Sequence, residues 1–221
     1  IHGGGMIIGA PWMDHAWCTT VARELNVLVL SVDYRLAPED PFPAGLDDCF
    51  TALAWLFEHA EQWGIDPTRI AVGGMSAGGG LAAMVTQMAH DRGLQVAFQG
   101  LIYPMLDDRT ALRNDDEGRG ALVWTREKNI DAWGWFLGHP VSEDEDRPYA
   151  SAARREDLSG LAPAWIGVGD ADLFYLEDLD YTERQRTTGV DEDVVEVPGM
   201  PHAGDIASWV PEAKAFHRSL L

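Results

Sequence analysis

Cysteine is scarce in this chain: Cys18 and Cys49 are the only two among 221 residues, and they fall in neither a C-x-x-C pair nor zinc spacing. That excludes a disulfide scaffold and a structural zinc site, and both read as buried thiols. None of the seven histidines lies in H-E-x-x-H or a comparable helical pair with a carboxylate, so no metal is expected. No Lys-Ser or Lys-Thr follows a glycine loop, and residues 3–8 fail the G-x-G-x-x-G pattern, so no nucleotide cofactor is expected either. An apolar run of about 18 residues is missing, which argues against a spanning helix and stable membrane insertion. Basic residues are also few, 16 against 36 acidic ones, for a formal charge of −20. Such a surface repels polyanions, so nucleic acid is not an expected partner. The acidic runs Glu143-Asp144-Glu145-Asp146, Glu177-Asp178 and Asp191-Glu192-Asp193 read as solvated loops and helix faces. The first residue is not Met and stands inside a motif, so an upstream signal peptide is neither indicated nor excluded; the working expectation is a cytoplasmic protein.

What is present is enough apolar material for one substantial core. With 46% hydrophobic residues and nine tryptophans, residues 1–221 are expected to form a single domain. Short apolar runs at Val27–Val32, Ile70–Gly73, Gly100–Tyr103, Ala164–Val168 and Val194–Val197 have the length and composition of buried strands. Helical patterns alternate with them at Asp14–Leu25, Leu46–Trp63, Ala77–Asp91, Leu176–Thr187 and Ser208–Leu220. This alternation predicts an α/β fold, a mostly parallel sheet with helices on both faces. Residues 107–148 interrupt it with charged sequence and a tryptophan-bearing helix at 129–137, which reads as a lid-like insertion.

Two motifs carry chemistry. Gly74-Met75-Ser76-Ala77-Gly78 fits G-x-S-x-G between a strand and a helix, the context of a nucleophile elbow in which flanking glycines let the chain turn sharply under an exposed serine. His2-Gly3-Gly4-Gly5 matches the loop whose backbone N–H groups hold an oxyanion in esterases and lipases. The helix from Ala77 is apolar almost all round, which predicts a buried helix with its positive N-terminal end at the serine. A serine needs a base held by an acid, in the order Ser, acid, His for this fold. His202, in a proline- and glycine-punctuated loop after the last strand, is the expected base. Asp170, Asp172 and Asp178 follow the strand at 164–168 and are the acid candidates.

The chain resembles the bacterial hormone-sensitive lipase family of esterases within the α/β-hydrolase superfamily. Besides the two glycine motifs, the resemblance rests on Asp33-Tyr34-Arg35-Leu36-Ala37-Pro38-Glu39, on Phe42-Pro43-Ala44, and on Tyr103-Pro104-Met105-Leu106-Asp107. It implies Asp172, within Gly169-Asp170-Ala171-Asp172-Leu173-Phe174, as the acid, with Asp170 second. It further implies Gly4, Gly5 and Ala77 as oxyanion donors, Gly3 as a turn former and His2 as a residue that fixes the loop. The implied activity is hydrolysis of short-chain carboxylic esters without a cofactor. Trp12, Met75, Phe174, Trp124, Trp133 and Trp135 are candidate pocket residues or core. Met75 departs from the Asp or Thr usual before the nucleophile, which bears on substrate preference. The same machinery serves amides and drug-type esters. A non-catalytic ligand-binding module, like the plant gibberellin receptors that have lost the histidine, is the alternative reading, and His202 argues against it.

In that family a cap and the first strands precede the oxyanion loop, and the strand entering it runs between those that read here as Val27–Val32 and Ile70–Gly73. Only Ile1 of that strand is in the sequence. The expectation is therefore an α/β-hydrolase sheet lacking its N-terminal strands and cap, with a wider pocket and an exposed apolar patch compatible with a homodimer.

Overall fold

The computed structural model describes residues 1–114, 117–207 and 209–221. Its elements in chain order are α1 (His15–Leu25), α2 (Ala44–His59), β1 (Ala71–Met75), α3 (Ala77–Asp91), β2 (Phe98–Ile102), α4 (Arg126–Leu137), β3 (Ala164–Gly169), α5 (Tyr175–Thr187), β4 (Glu192–Val197) and α6 (Pro211–Leu220). The strands form one parallel sheet in the order β1-β2-β3-β4. Each crossover is made by a helix or a longer segment, as parallel neighbours require.

Successive strand residues point to opposite faces, and the core divides accordingly. Leu101 of β2 and Ile166 of β3 join Leu81 and Met84 of α3, Leu46 and Leu53 of α2 and Tyr181 of α5 on one face. Ile102 and Trp165 join Phe216 and Leu220 of α6 and Trp17 of α1 on the other. Burying each of the large aliphatic side chains contributes about 1.5–3 kcal/mol. Residues Ala77 to Ala89 of α3 are all buried, because Gly78, Gly79 and Gly80 let its first turn sit directly against main chain: a Cβ on Gly79 would stand 3.0 Å from Pro104 Cα.

Four of the five expected strands are present, with no end shifted by more than two residues. Val27–Val32 is not a strand. It carries no regular secondary structure and no strand pairing, and Val27 to Leu30 are exposed. A strand needs a hydrogen-bonding neighbour, and among the described residues none pairs with the outer edge of β1. Main chain meets that edge at Ile1, whose nitrogen donates to Gly73 O at 2.7 Å. The long helix expected to reach Trp63 closes at His59 and continues as a 3₁₀ turn, Glu61–Trp63. The last helix starts at Pro211, a residue suited to a first helical position, and the expected start, Ser208, lies outside the described residues. Cys49 is buried and Cys18 only half-buried.

Segment 107–148 is not a free appendage. Its helix α4 puts Ala132, Trp133, Phe136 and Leu137 into the main core, and Phe42 N–H donates to Phe136 O at 2.6 Å. Asp108, fully buried, is paired with Arg154 at 2.7 Å. The acidic runs are also less solvated than their composition indicates. Glu177 and Asp178 are buried on the inner side of α5, and Glu145 is held by Arg147 at 2.6 Å.

Candidate active site

The turn between β1 and α3 places Ser76 at φ 57°, a left-handed conformation that non-glycine residues rarely hold. The surroundings enforce it. Ser76 N–H donates to Ile102 O at 2.8 Å, and Ser76 O accepts from Gly80 and Met105 N–H, each at 3.0 Å. Gly74 and Gly78 approach each other so closely that a Cβ on either would overlap main chain, including Ile1 O. The glycines of the motif are thus required by contact and not only by the turn.

Ser76 Oγ lies 2.8 Å from His202 Nε2, and His202 Nδ1 lies 2.8 Å from Asp172 Oδ2. A carboxylate only accepts, so Nδ1 donates to Asp172 and Nε2 is left to accept the serine hydroxyl proton. Asp172 is itself fixed by its own turn: Phe174 N–H donates to Oδ1 at 3.0 Å, and the residue is fully buried. His202 is 4% exposed and ringed by aromatics, with Tyr103 and Phe174 edge-on at 4.8 and 5.1 Å and Trp124 at 6.2 Å. The other two acid candidates lie elsewhere. Asp170 accepts from Gly199 N–H at 2.6 Å, shaping the turn before the histidine loop. Asp178 is buried in α5, where burial first, then the Glu177 and Asp172 charges, pushes its carboxyl well above the ordinary range.

The glycine loop closes over the serine. A Cβ on Gly3 would stand 3.4 Å from Ser76 Cβ. Gly4 and Gly5 have φ of 119° and 63°, and Gly4 O accepts from Ile7 and Ile8 N–H. Among the described residues the N–H groups of Gly4 and Gly5 donate to no other group in the chain. Ala77 opens α3, so its N–H has no partner one turn earlier. His2 is buried, with Nδ1 2.8 Å from Gly3 O, and desolvation lowers its pKa, which favours the neutral ring. Tyr34 stacks on that ring and donates its hydroxyl to His2 O at 3.0 Å, and Ala37 N–H donates to Met6 O at 3.0 Å. Arg35 grips Asp48 through two bonds of 2.9 Å, tying this stretch to α2.

Of the pocket candidates, Phe174, Trp124 and Met75 reach the site, Met75 through its contact with the Tyr103 hydroxyl. Trp124 also presses its ring against Gly5. Trp133 is core, packed on Phe136, whereas Trp12 and Trp135 are exposed. No group of three or more His, Cys, Asp or Glu among the described residues is disposed to hold a metal, and no helix among them is long and apolar enough to cross a membrane.

The sequence profile of the α/β-hydrolase fold matches residues 1–205. The chain belongs to the α/β-hydrolase family. Its relatives place it in the hormone-sensitive lipase branch. Carboxylesterase NlhH of Mycobacterium tuberculosis is 38% identical over 204 residues, covering 91% of this chain and 64% of the relative. Carboxylic ester hydrolase LipN of the same organism is 37% identical, covering 91% of this chain and 55% of its own length. The chain thus spans somewhat under two thirds of these curated relatives. Among solved structures, a bacterial heroin esterase superposes with a TM-score of 0.94 at 37% identity, covering 99% of this chain and 70% of that one. The tyrosine, alanine and arginine of the segment 33–39 thus have a physical role in this α/β-hydrolase: Tyr34 and Ala37 hold the two ends of the glycine loop, and Arg35 anchors their segment to α2.

Proposed function

We propose that this chain hydrolyses carboxylic esters, with a preference for short acyl chains, through Ser76 as nucleophile, His202 as base and Asp172 as the acid that orients it. The observation that carries the reading is the continuous pair of 2.8 Å bonds, Ser76 Oγ to His202 Nε2 and His202 Nδ1 to Asp172 Oδ2, at the end of a helix-backed elbow. His202 takes the hydroxyl proton as Ser76 attacks the ester carbonyl. Gly4, Gly5 and Ala77 N–H groups bind the tetrahedral oxyanion, each contributing about 3 kcal/mol to lowering the barrier. His202 then protonates the departing alcohol, and water repeats the sequence on the acyl-enzyme.

Residues 107–148 serve in this reading as part of the cover, since Trp124 stands against both Gly5 and His202. The printed names of the relatives, carboxylesterase and heroin esterase, support small carboxylic esters as the substrate class. The test is hydrolysis of p-nitrophenyl esters from acetate to a long acyl chain by the chain and by Ser76→Ala. Turnover of the short esters that vanishes in the variant supports the proposal. A folded wild type that turns over none of them overturns it.

A further inference from the structure

Three residues past His202, Asp205 is a buried carboxylate outside the Ser76-His202-Asp172 row. It is 2% exposed, and both oxygens are used: Oδ1 accepts the Tyr103 hydroxyl at 2.8 Å and Oδ2 accepts from His217 Nε2 at 2.6 Å. The three partners come from different parts of the fold. Tyr103 follows the last residue of β2, Asp205 sits in the 3₁₀ turn Gly204–Ile206 after the histidine, and His217 is on α6, packed against Trp17 of α1 at 4.7 Å.

Tyr103 links this cluster to the reacting groups. Its φ of 34° is left-handed for a residue with a large side chain, a strain that the surroundings must offset. The result is a ring standing edge-on to His202 at 4.8 Å, with its hydroxyl 3.9 Å from Sδ of Met75, the residue before Ser76. Burial first, then Asp205, raises the Tyr103 phenol well above its ordinary value, so it remains a donor to Asp205. Meanwhile the backbone bonds donated by Gly204, Ile206 and Ala207 are local, each closing on a carbonyl three residues back. They shape the turn without fixing it to the sheet. The Asp205 side chain supplies that attachment.

We propose that Asp205, through Tyr103 and His217, is a positioning residue that holds the His202 imidazole in line between Ser76 and Asp172. The proposal rests on the reading of Ser76 and His202 as nucleophile and base. Asp205 touches no reacting atom. It acts by fixing the turn that carries the base and the tyrosine ring against which the base packs. Misplacement of a catalytic group by about 1 Å lowers turnover by up to about 100-fold while leaving ground-state binding largely intact.

The test compares Asp205→Ala, Asp205→Asn and Tyr103→Phe in the full chain, with p-nitrophenyl acetate as the probe and His202 followed by its downfield imidazole Nδ1–H resonance. Asp205→Ala is expected to lower kcat by about 10- to 100-fold with KM little changed. It should also broaden or abolish the imidazole proton signal. Asp205→Asn should recover most of kcat and the signal, because its oxygen still accepts from Tyr103 and its amide can donate to His217 Nε2 in the tautomer that carries its proton on Nδ1. Tyr103→Phe, the loss of one hydroxyl, should give the same split between kcat and KM and supplies the result if Asp205→Ala does not fold. An unchanged kcat and an unchanged proton signal in folded Asp205→Ala or Tyr103→Phe overturn the proposal. Should wild type lack esterase activity, the hydrolase reading fails alone: the imidazole signal still decides whether Asp205 positions His202.

Discussion

The ring of Tyr34 lies parallel to that of His2, with 4.2 Å between centroids and 17° between planes, and its hydroxyl donates to the His2 carbonyl. Tyr34 is buried, so removing the hydroxyl strands one acceptor away from water. Tyr34→Phe is expected to lower stability by about 1 kcal/mol. Because His2 opens the glycine loop, the variant should lose more in kcat than in KM for p-nitrophenyl acetate. Thermal melts and initial-rate kinetics check the two parts separately.

Gly5 has φ 63° and faces the Trp124 ring with no room for a side chain. Gly5→Ala therefore forces either the loop or the tryptophan to move. If its N–H is an oxyanion donor, kcat falls by about 10²–10³-fold. Trp124→Ala in the same chain opens space and should restore part of the loss, since contacting residues couple. No recovery in the double variant would mean that the left-handed backbone and not the ring sets the effect.

Much of this arrangement is legible in the sequence, and the exceptions have physical causes. Apolar runs mark β2 and β3 because these inner parallel strands are buried on both faces, and shorter runs mark β1 and β4, which are only partly buried at the sheet edges. Val27–Val32 carries the same signal, yet strand formation depends on a neighbour, which a run of residues does not encode. Ser76 and His202 are marked by motif and chain order, whereas order leaves Asp170, Asp172 and Asp178 open and only the family resemblance favours Asp172; the fold brings Ser76, His202 and Asp172 within hydrogen-bond reach. Glu177 and Asp178 read as solvated because the rest of α5 is polar: Asp180, Glu183, Arg184 and Arg186 share the helix, and only the packing reveals which side faces the core. Tyr103, Asp205 and His217 do not stand out as a group in the sequence, since their link is entirely tertiary. The only local hint is an aspartate three residues after the loop histidine.

Asp172 and Asp170 stand two residues apart but in different surroundings, which makes them a paired test. Asp172→Asn is expected to lower kcat by about 10⁴-fold, as the amide favours the wrong imidazole tautomer. Asp170→Asn keeps an oxygen to accept from Gly199 and should leave kcat close to wild type. Equal losses from the two substitutions would remove Asp172 from its assigned role. Steady-state kinetics on a short-chain ester, with circular dichroism to confirm folding, decides between them.

Two buried carboxyls should respond to pH with opposite sign. Asp178 has no hydrogen-bond partner for either oxygen among the described residues, and burial raises its carboxyl well above the ordinary carboxylate range. A raised acid favours the folded state most when it is protonated in both states, so its contribution is present below about pH 4 and is lost as pH climbs toward the folded value. Asp178→Asn is therefore expected to raise Tm at pH 7 and to leave it unchanged at pH 3. Glu145 is the reverse case, because hydrogen bonding to Arg147 lowers it from 4.5 to about 2. Its contribution is present above pH 4.5 and disappears as pH falls toward 2, so Glu145→Gln should lower Tm at pH 7 and converge with wild type in strong acid. Melting curves for the two variants and wild type across that range read both slopes, and parallel responses from the two would contradict the assignment of one carboxyl to an unpaired core position and the other to an ion pair.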